Sequence, residues 1–321
     1  MQNSGTRDEF PPGFTGAIGG EQYQKMSHID QIRHRPDTYI GSPAGVTNDS
    51  IWMAKVVGEG TIRVENVATS VAAAIVGISK EVFDNATDNV ERSRMENINP
   101  GMIRCQMTER SLTLINEGKH IPIVIHHKEQ IWVPQLIFGV LLTSDNYDDT
   151  ISRYKIGRNG YGIKLTNVFS MIFNIVIGDP VNHLKYTQTW TKGMKEHTEP
   201  FIEPYQGSGF TQITFVPDFD FFYETNAANQ QSYGQGTFLE SMKGFYLNRT
   251  MEMSYAAQIV SVFDGCFGGV SNVLTLDYRD PEKYFNAHFE GVDPDRKQFR
   301  WTSDDGRNEF VVAETPNKGF A

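Results

Sequence analysis

Cysteine is scarce in this 321-residue chain, with Cys105 and Cys266 the two present. They lie far apart and show no metal-type spacing, so they read as buried thiols of a reducing compartment. An excess of positive charge is also missing. The formal net charge is −10, which argues against a surface built mainly for nucleic acid or anionic membrane but leaves room for a local basic lining. No apolar run approaches the roughly 20 residues of a membrane span. The opening MQNSGTRDEFPPGFTGAIGGEQ lacks the basic-then-apolar order of a secretory signal. What is present is the balance of a folded protein: 39% hydrophobic, 21% charged and 12% aromatic residues, with enough chain for two domains that each bury a core.

Residues 1–22, with Pro11-Pro12 and Gly19-Gly20, read as a flexible arm. A short helix is expected over Ser27–His34, capped by Ser27 with Asp30 at its third position. Arg35-Pro36 ends it, because a residue before proline is pushed out of the helical region. A turn and then a loop are expected over Asp37–Ser42. Strand-like runs follow at Ile103–Met107, Ser111–Ile115, Phe173–Ile177, Tyr186–Trp190 and Gln212–Val216. Gln135–Leu142 reads as an apolar helix and Met242–Val262 as another. Val273–Asp277 and Phe310–Glu314 read as strands, and residues 226–236 as a polar insertion at a possible domain junction. The last residues carry no helix cap or polar tail, which suggests an interrupted domain.

The helix expected from about Ser70 to Arg92 carries the first chemical signal. Val71, Ala74, Ile75, Ile78 and Val82 define an apolar stripe, and Glu81, Asn85 and Asn89 fall four apart along its flank. Lys80, Asp84 and Thr87 fall away from it. A carboxylate and two amides turned toward the interior are costly without partners, so they are satisfied core groups or a site. Asn116 stands at a strand end before the Gly118 turn, a good place to present a hydrogen-bonding side chain. Thr143–Asp149 reads as a polar, lid-like loop. Next comes Gly157-Arg158-Asn159-Gly160-Tyr161-Gly162-Ile163-Lys164, backed onto an apolar-periodic run that begins with Leu165. Its glycines suit backbone N–H groups wrapped around phosphate oxygens. Its spacing fits neither G-x-x-x-x-G-K-[ST] nor G-x-G-x-x-G.

In this order the pieces resemble the Bergerat-fold ATPase site of the gyrase, heat-shock-chaperone, histidine-kinase and MutL (GHKL) superfamily, and within it the ATPase region of eukaryotic-type DNA topoisomerase II. The resemblance rests on Tyr23-Gln24-Lys25, Arg35–Ser42, Asn85–Asn89, Val133–Gly139, Leu141–Asp149 and the GRNGYGIKLTNVFS run. It implies an α+β fold: a Bergerat-type sandwich, a mixed sheet covered by helices on one face, over residues 23–240. Part of a transducer-like α/β domain over 241–321 would follow. It implies Mg²⁺-dependent ATP hydrolysis with Glu81 as general base and Asn85 as metal ligand. Asn89 would belong to the same nucleotide site and Asn116 would face the adenine. Ser144, Asp145 and Asn146 would contact ribose and phosphate, and Gly157–Lys164 would wrap the triphosphate. Tyr23 and the arm would reach across to the nucleotide of a partner subunit. A homodimer closed by ATP around double-stranded DNA is implied, with cleavage modules on the same or another chain. So is an intracellular location: the nucleus if the source is a cellular eukaryote, otherwise a host cell or viral replication compartment.

Two positions depart from the family pattern. His120 stands where the second glycine of a G-x-G turn is usual, and Ile156 where a glycine usually precedes the phosphate loop. The transducer lysine, the metal-binding Toprim module and the DNA-cleaving tyrosine have no counterpart within these 321 residues. A clamp gated by nucleotide with little hydrolysis of its own is therefore the alternative expectation. A MutL-type or chaperone ATPase is disfavoured by the Arg35–Ser42 and Val133–Asp149 runs.

Overall fold

A computed structural model of the chain describes residues 26–43, 49–58, 61–69, 73–141, 162–224, 242–288, 298–303 and 309–313. Helix α1 (His28–His34) starts as its sequence demands. The Ser27 hydroxyl accepts the Asp30 N–H at 3.1 Å and donates to the Asp30 carboxylate at 2.7 Å. The turn expected after Arg35 is instead a second helix, α2 (Pro36–Ile40). Proline suits its first turn, where a helix has no use for the missing N–H. A hairpin that had not been foreseen follows: β1 (Asp49–Gly58) pairs antiparallel with β2 (Thr61–Thr69) and turns Ala54, Ile62 and Val64 inward.

Helix α3 (Ala73–Met95) runs three residues past its expected end; its expected first residues lie outside the described ones. It buries Ala74, Ile75, Ile78, Val82, Phe83, Ala86 and Val90. The expected hairpin is β3 (Ile103–Met107) with β4 (Leu112–Glu117), which places Asn116 inside the second strand. Helix α4 (Val133–Gly139) begins two residues early with Pro134 in its first turn, and α5 (Gly162–Val168) begins at the last glycine of the Gly-rich run. Strands β5 (Ser170–Asp179), β6 (Leu184–Thr191), β7 (Glu196–His197), β8 (Phe201–Pro204) and β9 (Phe210–Pro217) come next, then α6 (Phe219–Glu224). The remaining elements are α7 (Lys243–Ala256), β10 (Ser261–Gly265), β11 (Val273–Leu276), α8 (Pro281–His288) and the paired strands β12 (Gln298–Thr302) and β13 (Glu309–Ala313).

Among the described residues the main sheet runs β11-β10-β3-β4-β9-β5-β6-β7, with β8 also on β6. All its pairings are antiparallel except β10 with β3, so the sheet is mixed. Alternation along the strands buries one face: Ile103, Cys105, Leu112, Leu114, Phe173, Ile175, Ile213 and Phe215 all point into the core. On the other face Arg104 and Gln106 are exposed, and Thr113 and Thr214 join hydroxyls at 2.9 Å across two strands. Helices α3 and α7 meet within the core, where Phe83 stacks on Tyr246 and the Tyr246 hydroxyl lies 2.8 Å from Ser79 Oγ.

The helix expected over Met242–Val262 stops at Ala256. Gln258 takes a positive φ of 51°, and Ser261–Gly265 becomes a strand instead. Ser261, Phe263 and Gly265 alternate inward, and the parallel ladder to β3 gives this backbone partners that a longer helix would not. Strands β10 and β11 thereby join the sheet begun by β3.

Candidate functional site

Helix α3 carries Glu81 against the beginning of α5. A Cβ built on Gly162 would collide with the Glu81 carboxylate, so only glycine lets the carboxylate occupy that place. Two buried side chains hold α5 there. Thr166 Oγ1 donates to the Ile78 carbonyl at 2.8 Å, one turn before Glu81, and Asn167 Nδ2 donates to the Phe138 carbonyl of α4 at 3.0 Å. Ile163 and Lys164 are buried on the same helix. Burial pushes the Glu81 carboxyl above its ordinary value. The neighbouring charges of Asp84 and Asp88 add to that push, and Lys80 opposes it.

Asn85 differs from the expectation of an inward amide. It is exposed, because the stripe that faces the sheet runs through Val82, Phe83 and Ala86. Its Nδ2 donates to the Glu81 carbonyl at 2.7 Å, which leaves the neutral amide oxygen with its lone pairs uncommitted. That is the kind of ligand a hard divalent cation accepts beside phosphate oxygens.

Asn89 and Asn116 meet around the Gly118 turn. Asn89 Nδ2 donates to the Glu117 carbonyl at 3.1 Å. Ser93, one turn further along α3, donates to the Asn89 carbonyl at 2.7 Å and accepts the Lys119 N–H at 2.8 Å. Gly118 has φ +99°, and a Cβ there would lie 2.5 Å from Ser93 Oγ, so the turn requires glycine. Asn116 shares the buried face of β4 with Leu112 and Leu114, opposite Thr211 of β9. It is 7% exposed.

Glu81, Asn85, Asn89, Asn116, Gly162, Ile163 and Lys164 can thus be placed. Tyr23, Ser144, Asp145, Asn146 and residues 157–161 lie outside the described residues.

Sequence reasoning missed Ser93 and the partners of two residues it did name, Asp84 and His120. Ser93 continues the period of four from Glu81, Asn85 and Asn89, a signal that was available. Asp84 is not merely turned away: Arg249 of α7 bridges it at 3.1 Å and Glu252 beside it. Burial raises the Asp84 carboxyl while Arg249 pulls it down. His120 reaches Asp179. No local pattern announces either of these pairs.

The fold and these residues together define an α+β sandwich of the Bergerat type. No protein-family model matches the chain. The ATPase region of Saccharomyces cerevisiae topoisomerase II superposes with a TM-score of 0.70 at 31% identity, over 87% of this chain and 68% of that one. The ATPase and transducer domains of DNA topoisomerase II from Balamuthia mandrillaris give 0.67 at 28% identity over the same shares. DNA topoisomerase 2 of Candida glabrata is 33% identical over 289 residues, 88% of this chain. The chain belongs to the family of the DNA topoisomerase II ATPase region. It spans about a fifth of the length of that curated relative, 19%.

Proposed function

We propose that the chain binds and hydrolyses ATP with Mg²⁺, and that ATP brings two copies together as the gate of a type II DNA topoisomerase. The observation that carries the reading is the Glu81 carboxylate seated on Gly162, at the end of the Gly-rich run. A base next to a phosphate-wrapping loop is the arrangement that water attack on a terminal phosphate needs. Burial raises the basicity of Glu81, so it draws a proton from an attacking water more strongly than an exposed glutamate would. The Asn85 amide, braced by the Glu81 carbonyl, would hold the Mg²⁺. When bound, Mg²⁺ neutralises phosphate charge. Asn116, on the buried face of β4 beside the turn held by Asn89, would read the adenine edge. Gly162, Ile163 and Lys164 would line the triphosphate with residues 157–161, and Ser144, Asp145 and Asn146 would contact ribose and phosphate.

Tyr23 would reach the partner's nucleotide, and double-stranded DNA would pass the gate in the full enzyme, whose cleavage modules lie on the same or another chain.

Glu81→Gln tests the reading. It keeps the shape and removes the base. Steady-state turnover should fall by about 10²–10⁴-fold while affinity for a non-hydrolysable ATP analogue stays within about threefold. Equal turnover in variant and parent refutes the role of Glu81. A parent that binds the analogue without measurable turnover would instead leave a nucleotide-gated clamp.

A further inference from the structure

The turn after Asn116 is fastened on two sides. Toward α3, Asn89 holds the Glu117 carbonyl and Ser93 holds the Lys119 N–H. On the other side stands Asp179, at the end of β5 and fully buried. His120 Nε2 lies 3.1 Å from Asp179 Oδ1, and the Ile123 N–H donates to Oδ2 at 2.8 Å, so one carboxylate holds both ends of the segment 120–123. Asp179 also accepts the Val181 and Asn182 N–H groups, each at 2.9 Å, and Asn182 Nδ2 at 2.6 Å. Gly209 gives the imidazole room, since a Cβ there would stand 3.3 Å from the His120 Cβ and 2.6 Å from the Gly118 carbonyl. The Gly118 N–H donates to the Gly209 carbonyl at 3.2 Å, which ties the turn to the residue just before β9, the partner strand of Asn116.

We propose that His120 is a positioning residue for the base end of the nucleotide site. By bridging from the turn to Asp179 it holds Gly118–Ile123 in place, and Asn116 then meets the adenine as a preformed edge. This inference rests on the ATP reading above and adds to it a residue that touches no phosphate. A turn held before the ligand arrives loses less conformational freedom on binding, so the gain is in affinity and not in the chemical step.

The test is calorimetric titration of the 321-residue chain with a non-hydrolysable ATP analogue and with inorganic triphosphate, alongside steady-state kinetics. His120→Ala leaves Asp179 with the N–H groups of Ile123, Val181 and Asn182 and the Asn182 amide, so the variant is expected to fold. Its dissociation constant for the analogue should rise about tenfold, with triphosphate affinity and kcat at saturating ATP within about twofold of the parent. His120→Gln, which still donates from its side-chain amide, should recover most of the loss. An analogue affinity unchanged in His120→Ala overturns the inference, as does an equal loss for triphosphate or no recovery by glutamine. A parent chain that binds no analogue overturns the ATP reading, and this inference with it.

Discussion

Gly162→Ala should separate stability from turnover. Gly162 begins α5, and a Cβ there overlaps the Glu81 carboxylate and comes within 3.2 Å of Glu81 Cγ. Carbon atoms rest comfortably at about 3.5–4.0 Å, so the carboxylate must retreat by roughly 1–2 Å. The retreat costs little in stability, because the colliding atoms are the free end of a rotatable side chain. Alanine also adds up to about 1 kcal/mol of helix propensity over glycine. For turnover the same displacement is severe, since a misplacement of about 1 Å costs on the order of 10²-fold. The melting temperature, followed by scanning fluorimetry, should stay level or rise by roughly 2–4 °C. A coupled ATPase assay at saturating ATP should give a kcat lower by about 100-fold. A kcat within about threefold of the parent would refute the argument, because the base could then not be the carboxylate that rests on Gly162.

Arg33→Ala should destabilise the chain by about 2–4 kcal/mol in chemical denaturation, since Asp218 would lose its ion pair at 2.6 Å and the Val168 carbonyl its donor at 2.8 Å. The guanidinium also lies 4.9 Å from the Phe221 ring centre, so lysine should restore little of the loss. Acid unfolding should report on Asp179. Burial pushes its carboxyl up, but the hydrogen bonds from Asn182 and Ile123 and the nearby His120 outweigh burial and hold it below the ordinary 3.8. Its contribution is therefore present above about pH 4 and is lost as pH falls through the lowered value, so Asp179→Asn should flatten the stability profile in that acid range.

Much of the architecture was legible because it is written in short-range pattern. The Ser27 cap, the β3–β4 hairpin, and the strands β5, β6 and β9 all follow from capping chemistry and alternation. The stripe of Ala74, Ile75, Ile78 and Val82 predicted α3 and which of its sides lies in the core. The errors share a cause. Ser261–Gly265 has no strand signal strong enough to interrupt an apolar run, and it becomes a strand because β3 offers an open parallel edge. The exposure of Asn85 follows from the exact rotation of α3 on the sheet, which periodicity fixes only coarsely.

For the candidate site the division runs along the same line. Sequence alone singled out the candidate side chains for the proposed chemistry: Glu81, Asn85 and Asn89 at a helical spacing, Asn116 before a glycine turn, and glycines ahead of α5. Only the tertiary structure decided that Gly162 receives the Glu81 carboxylate, that Arg249 neutralises Asp84, and that Asp179 fastens His120 and Ile123 together. Those partners are separated by 81, 165, 59 and 56 residues, a reach that local pattern cannot encode. They meet because the fold packs strand ends and helices from distant parts of the chain together, where a buried polar group is costly without a partner.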